Sequence, residues 1–505
     1  MNTRHADVCF LLEGTYPYVA GGVSSWIHEL IKDHRHLRFS IVVILAHKED
    51  MIQRYEIPEN VVDLHHVYLH ELQKGKRPWR MGNLLQDLSP LITAVLKDGD
   101  LEAFARLLQT MQGYNVGSRL VLNSTQAWAL LTQMYEETMP STSFLDYFWS
   151  WRMMVGSLFA VLTGPLPTAG MYHVISTGYA GLLAARASVE KQRPVILTEH
   201  GIYTNERRIE ISMADWIYEA PTRGLNIRTN QRELRDFWLD AFASFSNICY
   251  QACNGIITLY GGNQVLQKRD GAPPEKLRVV PNGIDYERFS AIEPDPAPRR
   301  PTVALIGRVV TIKDVKTFIR AAKILRSHIP DVEALVMGPT EEDPTYFQEC
   351  LALVEHLELE NTVKFLGRVN IAEYLGKIDL IALTSLSEAQ PLVILEAGAA
   401  GVPTIADDVG ACSEMIYGHP KENPPLGEGG IVVPVAHPAA AAEAMVALLS
   451  DRGRLARCAA AIRARVRTVY NKKTINAFYN HLYETASRAE KGERFILPHL
   501  VQDGE

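Results

Sequence analysis

A chain of 505 residues is too long to fold around a single hydrophobic core, and its length predicts two to four domains. Its 51 basic and 58 acidic residues give a net charge of −7 without a basic block, which argues against nucleic-acid or membrane-surface binding through bulk charge. The six cysteines are scattered without a C-x-x-C pair, as in a reducing compartment. The apolar run at 8–12 is too short for a signal peptide, and the longest run, 153–163, is too short to span a membrane. We therefore expect a cytoplasmic protein.

The first half of the chain, residues 1–290, is predicted to be a Rossmann-like domain built on a parallel sheet. Short apolar runs bounded by turn residues predict its strands at 8–12, 39–45, 61–67, 173–175, 195–198 and 255–259. Between them lies a helix-rich insertion at about 71–166, which carries no chemical motif. We expect the insertion to serve the fold, or to contact an acceptor or a partner.

The second half, residues 301–470, alternates regularly between strand and helix. Strands are predicted at 302–307, 332–337, 363–366, 379–384, 402–406 and 431–434, with helices at 315–328, 346–359, 371–377 and around Glu396. This alternation predicts a doubly wound domain. The proline-rich segment at 285–300 is predicted to be the linker. A long helix at 438–490, broken near Asp451 and Asn471, follows, and residues 471–505 are expected to pack back on the first domain.

Two glutamates, Glu388 and Glu396, lie eight positions apart around the start of a helix that follows an apolar strand. Eight residues are a little over two helical turns, so we expect both carboxylates to face one ligand at the carboxyl edge of the sheet. A carboxylate can accept hydrogen bonds from two neighbouring hydroxyls of a ribose or a sugar. For either residue alone, a helix start favoured by the dipole is the alternative.

Two loops that follow first strands have the composition of phosphate-binding segments. Arg308 and Lys313 can neutralise a diphosphate, although two surface cations would look the same in sequence. Gly21 and Gly22 open a helix and let backbone N–H groups approach a phosphate, although a plain turn is the alternative. The lack of a G-x-G-x-x-G motif argues against a nicotinamide or flavin site.

His200 ends a strand of the first half and is placed to hydrogen-bond a sugar hydroxyl or to move a proton. Its neighbour Glu199 competes for that role, and a structural histidine is the alternative. Asp98-Gly99-Asp100 matches a metal-binding D-x-D pattern but is better explained as a turn and a helix cap. We expect no metal site.

Taken together, these segments resemble the retaining GT-B glycosyltransferases of the large family four type. The motifs that carry the resemblance are Gly21-Gly22, His200, Pro281-Asn282-Gly283-Ile284-Asp285, Arg308 with Lys313, and the E-x7-E of Glu388 and Glu396. Segments 387–392 and 408–414, with the large insertion, resemble more narrowly the soluble transferases of bacterial Pel exopolysaccharide synthesis. The resemblance implies an α/β fold of GT-B architecture, with two Rossmann-like doubly wound domains facing across a cleft.

The resemblance also implies a role for each motif residue. Arg308 and Lys313 would bind the pyrophosphate, and Glu396 the ribose hydroxyls. Glu388 would lie near the donor hexose, whose hydroxyls His200 would contact. The loop that contains Arg368 and Val369 would hold the base through its backbone. Many relatives have glycine where this chain has Ala389 and Pro391; because proline has no N–H, Gln390 and Leu392 would have to supply contacts to the donor.

The implied reaction is metal-independent and needs no cofactor. It transfers a hexosyl unit, with retention, from a nucleotide diphosphate sugar, expected to be UDP-linked, to a growing exopolysaccharide. The implied partners are the nucleotide sugar, the glycan acceptor and an inner-membrane polysaccharide synthesis and export complex that would recruit the protein; no nucleic acid is implied. A sugar epimerase, a phosphorylase and a catalytically weak subunit that binds a nucleotide sugar for such a complex remain alternatives.

Overall fold

The computed structural model describes residues 6–48, 52–76, 83–212, 232–297, 299–420 and 422–498. Parts of three predicted segments lie outside the described residues: Pro298 of the linker, 77–82 of the insertion and 499–505 at the end of the chain. The described residues form two compact units. Unit 1 contains those up to Thr258, together with Asn263–Arg278 and Tyr479–Pro498, and unit 2 contains Leu259–Gly262 and Val279–Phe478.

Unit 1 is built on a seven-stranded sheet whose strands follow the order β3-β2-β1-β4-β5-β6-β7. The pairs from β3 through to β6 are parallel, and Cys9 of the central strand lies opposite Ser40 on one side and Tyr172 on the other. The central strands are continuously apolar because helices cover both faces of a parallel sheet. The strands are β1 (Ala6–Glu13), β2 (Phe39–Leu45), β3 (Val61–Tyr68), β4 (Ala169–Val174), β5 (Val195–Glu199), β6 (Gly255–Thr258) and β7 (Leu277–Val279). The first six confirm the predicted strands, and β7 was not predicted.

The insertion between β3 and β4 is helical throughout its regular elements. The helices of the first half are α1 (Gly22–Asp33), α2 (Leu84–Lys97), α3 (Leu101–Met111), α4 (Ser118–Val121), α5 (Thr125–Thr138), α6 (Phe144–Thr163), α7 (Tyr179–Lys191), α8 (Tyr203–Ser212), α9 (Leu234–Ala252) and α10 (Gly261–Arg269). Asp100 caps α3 by accepting a hydrogen bond from the Glu102 backbone N–H at 2.8 Å, and Gly99 turns the chain at φ 65°. The cap-and-turn explanation of Asp98-Gly99-Asp100 is thus confirmed.

Unit 2 is built on a six-stranded sheet, all of whose neighbours pair in parallel, in the order β10-β9-β8-β11-β12-β13. Its strands are β8 (Thr302–Ile306), β9 (Glu333–Met337), β10 (Val363–Gly367), β11 (Leu380–Leu383), β12 (Thr404–Asp407) and β13 (Gly430–Val433). The remaining helices are α11 (Tyr286–Ser290), α12 (Val315–His328), α13 (Pro344–His356), α14 (Leu392–Ala399), α15 (Cys412–Tyr417), α16 (Pro438–Ser450), α17 (Arg452–Val469) and α18 (Lys472–Arg488). The alternation predicted for this half is confirmed.

Three details qualify the sequence predictions. The predicted helix at 371–377 is instead two 3-10 turns, Ile371–Glu373 and Leu375–Lys377, because a hydrogen bond from the Lys377 N–H to the Tyr374 carbonyl closes a three-residue turn. The long C-terminal helix is three helices, with the breaks where they were predicted. The segment predicted as a linker begins with α11, and Phe289 is buried in a hydrophobic core of unit 2.

Both sheets reverse their strand order at the centre. In unit 1 the chain runs outward in one direction from β1 and in the other from β4, and in unit 2 the same occurs at β8 and β11. Such a reversal opens a crevice outside the carboxyl ends of the two central strands, where doubly wound sheets bind their ligands. Among the helices that the structure describes, none combines the length and the apolar character needed to traverse a bilayer.

Candidate functional site

In unit 2, backbone hydrogen bonds hold together the loops that follow the two central strands. The Leu386 N–H donates to the Ile312 carbonyl at 2.9 Å, and the Thr384 hydroxyl donates to the Asp314 carbonyl at 3.0 Å. Asp314 also caps α12, since its carboxylate accepts from the Thr317 backbone N–H at 3.2 Å, and it accepts from the Thr317 hydroxyl at 2.6 Å as well. The position of Lys313, one residue before this cap, is therefore fixed at the crevice of the sheet.

Lys313 and Glu388 form an ion pair between these two loops. Their side chains retain only 21% and 13% of their exposure, so water screens the pair less than it would an exposed one. The sequence predicted both residues for the same ligand, and the structure brings them into direct contact. In this structure the ammonium of Lys313 has a carboxylate as its counterion.

Arg308 also has a carboxylate partner. Its guanidinium donates to Glu342 at 2.7 Å, and both side chains are about half exposed, at 53% and 48%. An exposed ion pair of this kind contributes little to the free energy of folding, so Arg308 can exchange Glu342 for another anion at low cost. Glu342 was missed by the sequence predictions, although it follows β9 at the same edge of the sheet.

Arg308, Glu342, Arg368 and Val369 line one cavity of about 380 Å³. The loops around it approach closely: the Gly338 N–H donates to the Gly367 carbonyl at 2.8 Å. A Cβ atom on Gly338 would lie 1.9 Å from the Gly307 carbonyl oxygen, so no side chain fits there. The volume lies at the small end of the range for ligand pockets, which suits a compact group such as a ring.

Glu396 lies on α14, and burial raises the pKa of its carboxyl while the charge of Arg288 opposes that rise. Only the last residues of the interval from Glu388 to Glu396 are helical, because Pro391 is the N-cap and α14 starts at Leu392. The two-turn helical spacing used to predict that both carboxylates face one ligand is therefore wrong. Glu388 is placed by its loop, and Glu396 by the second turn of the helix.

Gln390 and Leu392 have different environments. The Gln390 side chain is buried and forms two hydrogen bonds with the backbone of Asn282. Its amide oxygen accepts from the Asn282 N–H at 2.8 Å, and its amide nitrogen donates to the Asn282 carbonyl at 3.4 Å. Leu392 is the first residue of α14 and is exposed, and the N–H of such a residue has no acceptor within its own helix. The side chain of Gln390 is thus occupied within the fold, whereas Leu392 stands at a helix start.

In unit 1, Gly21 and Gly22 lie at the start of α1, which follows the crevice end of β1. Gly21 is the N-cap and Gly22 the first helical residue, as predicted. A Cβ atom on either glycine would meet no other atom within 4 Å, and neither has the left-handed φ that favours glycine. The described fold therefore leaves room for a side chain at either position.

His200 follows β5 and contacts α1 through Trp26. The two rings meet edge to face at 4.7 Å between centroids. Burial lowers the pKa of His200 to about 4, so the imidazole is neutral at neutral pH. Its Nε2 atom is buried and finds no hydrogen-bond partner in the described part of the chain. Trp26 was not predicted. It lies four positions after Gly22 in the same helix, and this spacing could have indicated that the two residues share a helix face.

Glu199, the alternative to His200, is enclosed in the core of unit 1. Its carboxylate accepts hydrogen bonds from the Tyr250 hydroxyl at 2.9 Å, the Gln267 amide at 2.9 Å and the Tyr203 N–H at 3.2 Å. Burial raises the pKa of Glu199 to about 7 against these hydrogen bonds. Both of its oxygens are engaged, so the contacts favour His200 as the group that can meet a ligand.

The structure thus brings the predicted residues together as two sets, one in each unit. Lys313 pairs with Glu388, and Arg308 shares a cavity with Arg368 and Val369, in unit 2. In unit 1, Trp26 links the helix that begins at Gly22 to His200. Across all the residues that the structure describes, no three His, Cys, Asp or Glu side chains are arranged to hold a metal ion.

Two family models match this chain. Residues 6–275 match the family described as "Domain of unknown function (DUF3492)", and residues 300–451 match "Glycosyl transferases group 1". A D-inositol 3-phosphate glycosyltransferase of Xylanimonas cellulosilytica is 29% identical over 211 residues, 38% of this chain and 48% of the relative. The chain therefore spans about half the length of that relative.

Solved structures resemble the chain over nearly its full length. HepE of Anabaena, in complex with UDP, matches 95% of this chain and 99% of its own, with a TM-score of 0.56 and 16% identity. Sucrose-phosphate synthase of Thermosynechococcus elongatus matches 95% and 98%, with a TM-score of 0.55 and 15% identity. At these identities the likeness shows the fold, which is α/β of the GT-B type.

The first match covers more than half of the chain, and the second begins in the loop before β8. The chain belongs to the DUF3492 family, and in it that domain is followed by a group 1 glycosyl transferase domain within a GT-B fold.

Proposed function

We propose that this protein is a retaining glycosyltransferase that moves a hexosyl unit from a UDP-linked sugar to a growing exopolysaccharide, of which the Pel type is the specific candidate. The observation that carries the proposal is the pairing of two cations with carboxylates at the central crevice of unit 2, where one pair is exposed and the other is largely buried. HepE, which has the same fold, has been solved with UDP-glucose. A nucleotide diphosphate is the ligand that two cations beside a ring-sized cavity would take.

In the proposed donor complex, the diphosphate replaces the carboxylate partners of Arg308 and Lys313. The ring of the base enters the cavity along Arg368 and Val369, and Glu396 accepts hydrogen bonds from the ribose hydroxyls. Leu392 offers its N–H at the start of α14, where the helix dipole also favours a negative charge. The backbone N–H of Gln390 is the second donor that we assign to this loop.

In the proposed transfer, the bond between the anomeric carbon and the diphosphate oxygen breaks and leaves its electron pair on the diphosphate. The acceptor hydroxyl attacks the anomeric carbon from the same face, and its proton passes to the departing phosphate oxygen. Arg308 and Lys313 stabilise the charge that develops, so no metal ion or cofactor is needed. Glu388 and the neutral His200 position the hexose, and Gly21 and Gly22 leave room for the donor.

The proposed domains are 1–290 and 301–470, with residues 471–505 returning to the first. Residues 279–290 and 471–478 nevertheless belong to unit 2 in the structure. The proposed location is the cytoplasm, where nucleotide sugars are the donors. An inner-membrane polysaccharide synthesis and export complex is the proposed partner that recruits the enzyme to its acceptor.

Lys313→Ala is expected to lower kcat by about a hundred- to a thousandfold, because one charge-stabilising contact to the leaving group is lost. Lys364→Ala is the matched control, since it removes another Lys–Glu ion pair of unit 2, on the strand β10. Transfer from UDP-sugars is measured by release of UDP, with circular dichroism as the check on folding. Activity of Lys313→Ala within threefold of the control would contradict the proposal.

Glu342→Gln is expected to tighten UDP binding about two- to fivefold. In this variant Arg308 no longer has to break an ion pair whose free energy is roughly 0.5–1 kcal/mol before it meets the diphosphate. Calorimetry measures the dissociation constant in the single variant and again in the Arg308→Ala background. The gain should vanish in the double variant. An equal gain without Arg308 would show that Glu342 repels the nucleotide by itself rather than by holding the arginine.

The neutral state of His200 predicts a pH dependence of stability. The folded pKa of about 4 lies below the ordinary value of 6.5, so the unfolded state binds the proton first as the pH falls. The contribution of the neutral His200 to the free energy of unfolding is therefore complete above pH 6.5. It is lost as the pH falls toward 4, by at most about 1.4 kcal/mol per pH unit.

Urea unfolding at pH 7 and pH 5 tests this dependence. In His200→Asn the loss of unfolding free energy between the two pH values should be smaller than in the wild type by about 2 kcal/mol. His481→Asn, which changes an exposed histidine of α18, should keep the wild-type loss. Identical losses in all three proteins would mean that His200 takes up its proton as readily in the folded state as in the unfolded one.

A further inference from the structure

A second cavity, of about 990 Å³, lies in unit 1, between the insertion and the end of α7, away from the residues discussed so far. Its lining includes the ends of α3, α6 and α7 and the loop that follows α3. Because α6 and α7 lead into β4 and β5, their last turns lie at the edge where those strands begin. Gly21, Gly22 and His200 lie at the opposite edge, where the strands end. The two edges are about 17 Å apart, the length of the five residues of β5.

The rim of this cavity is rich in amide side chains. Five exposed amides line it: Gln73, Gln109, Gln112, Asn115 and Gln192. All five are exposed, so a ligand can reach their amide groups. An amide both donates and accepts, as a sugar hydroxyl does, so such a rim matches a ligand that carries many hydroxyl groups.

The floor of the cavity is apolar, and an aromatic ring stands at its edge. Leu108, Met111, Val116 and Leu162 are buried beneath the amides. Tyr114 is 49% exposed, so about half of its surface is open to a ligand. Amphipathic rings of this kind are suited to the alternating apolar and hydroxylated faces of a pyranose.

Charge adds little to this cavity. Glu190 and Lys191 are its charged residues, and they have opposite signs. Glu190 is already paired with Arg186 at 2.8 Å. An anionic ligand would meet one lysine beside a carboxylate, which is a poor electrostatic site, whereas a neutral ligand suffers no such penalty.

The loop that carries Tyr114 and Asn115 is held in place by backbone contacts. The Lys76 N–H donates to the Asn115 carbonyl at 2.9 Å, and the Ser118 N–H donates to the Gln73 carbonyl at 2.8 Å. Gly75 and Gly117 make this approach possible, since a Cβ atom on Gly117 would lie 2.2 Å from the Gln73 carbonyl oxygen. The rim is therefore set by the fold before any ligand arrives.

We propose that this cavity is a binding groove for a neutral oligosaccharide, distinct from the transfer site. Only the role given to the groove rests on the proposed function. The groove would hold a growing glycan, while another part of that glycan reaches the opposite edge of the sheet. A glycan that spans about 17 Å must contain several sugar units. The groove would thus favour long acceptors over short ones.

Saturation-transfer NMR and calorimetry on the full chain test the groove with cellohexaose, maltohexaose and chitohexaose, and with a heparin hexasaccharide as the anionic contrast. At least one neutral hexasaccharide should bind. Tyr114→Ala and the double variant Gln109→Ala/Gln112→Ala should each weaken that binding tenfold or more. Tyr114→Phe, which keeps the ring, and Gln86→Ala, an exposed amide on α2 outside the groove, should bind as the wild type does.

Binding of UDP, measured in the same samples, separates the two proposals. Loss of hexasaccharide binding with unchanged UDP affinity supports the groove, whereas a chain that binds hexasaccharide but no nucleotide overturns the proposed function alone. The groove is overturned if no neutral hexasaccharide binds, if the heparin fragment alone binds, or if the Tyr114 and glutamine variants bind as tightly as Gln86→Ala.

Discussion

The reversal of strand order at the centre of each sheet is the constraint on which the rest of this structure depends. Because the chain leaves β1 and β4 in opposite directions, and β8 and β11 likewise, no crossover helix can cover the carboxyl ends of these strands. The loops that emerge there must satisfy their polar groups among themselves or with a ligand. In unit 2 they do so among themselves. The Leu386 N–H donates to the Ile312 carbonyl, and the cations Lys313 and Arg308 pair with carboxylates.

The two ion pairs at that crevice neutralise its two cations. Lys313 is largely buried, and an unpaired buried ammonium would be costly, so Glu388 stabilises it. Arg308 is exposed and needs less support from Glu342. In the proposed function the two cations differ accordingly: Lys313 is a fixed charge, and Arg308 is a mobile one that swings onto the diphosphate.

The strands and the helices between them could be predicted from the sequence. In a chain of this composition, continuous apolar runs of five or six residues are typical of buried strands in a parallel sheet. The 3-10 turns at 371–377 could not be predicted, since a single turn carries too little periodicity. The residues of the candidate site were found by type and by position after a strand. Their partners were not: Glu342, Trp26 and Arg288 depend on which strands become neighbours, which no local pattern states.

The pair Glu388 and Glu396 shows the same limit. The spacing was read as two helical turns, but Pro391 delays the helix and puts Glu388 in the loop. The contact between Glu388 and Lys313 joins residues 75 positions apart and follows from the adjacency of β8 and β11. The proposed glycan groove of unit 1 is a further case, because its five amides come from three separate segments of the chain.

A crystal structure of the protein with UDP would test the central claim most directly. We expect the pyrophosphate within hydrogen-bonding distance of Lys313 and Arg308, with Arg308 turned away from Glu342 and the uracil in the cavity beside Arg368 and Val369. UDP bound elsewhere in the chain, or UDP at this crevice with both ion pairs intact, would contradict the account.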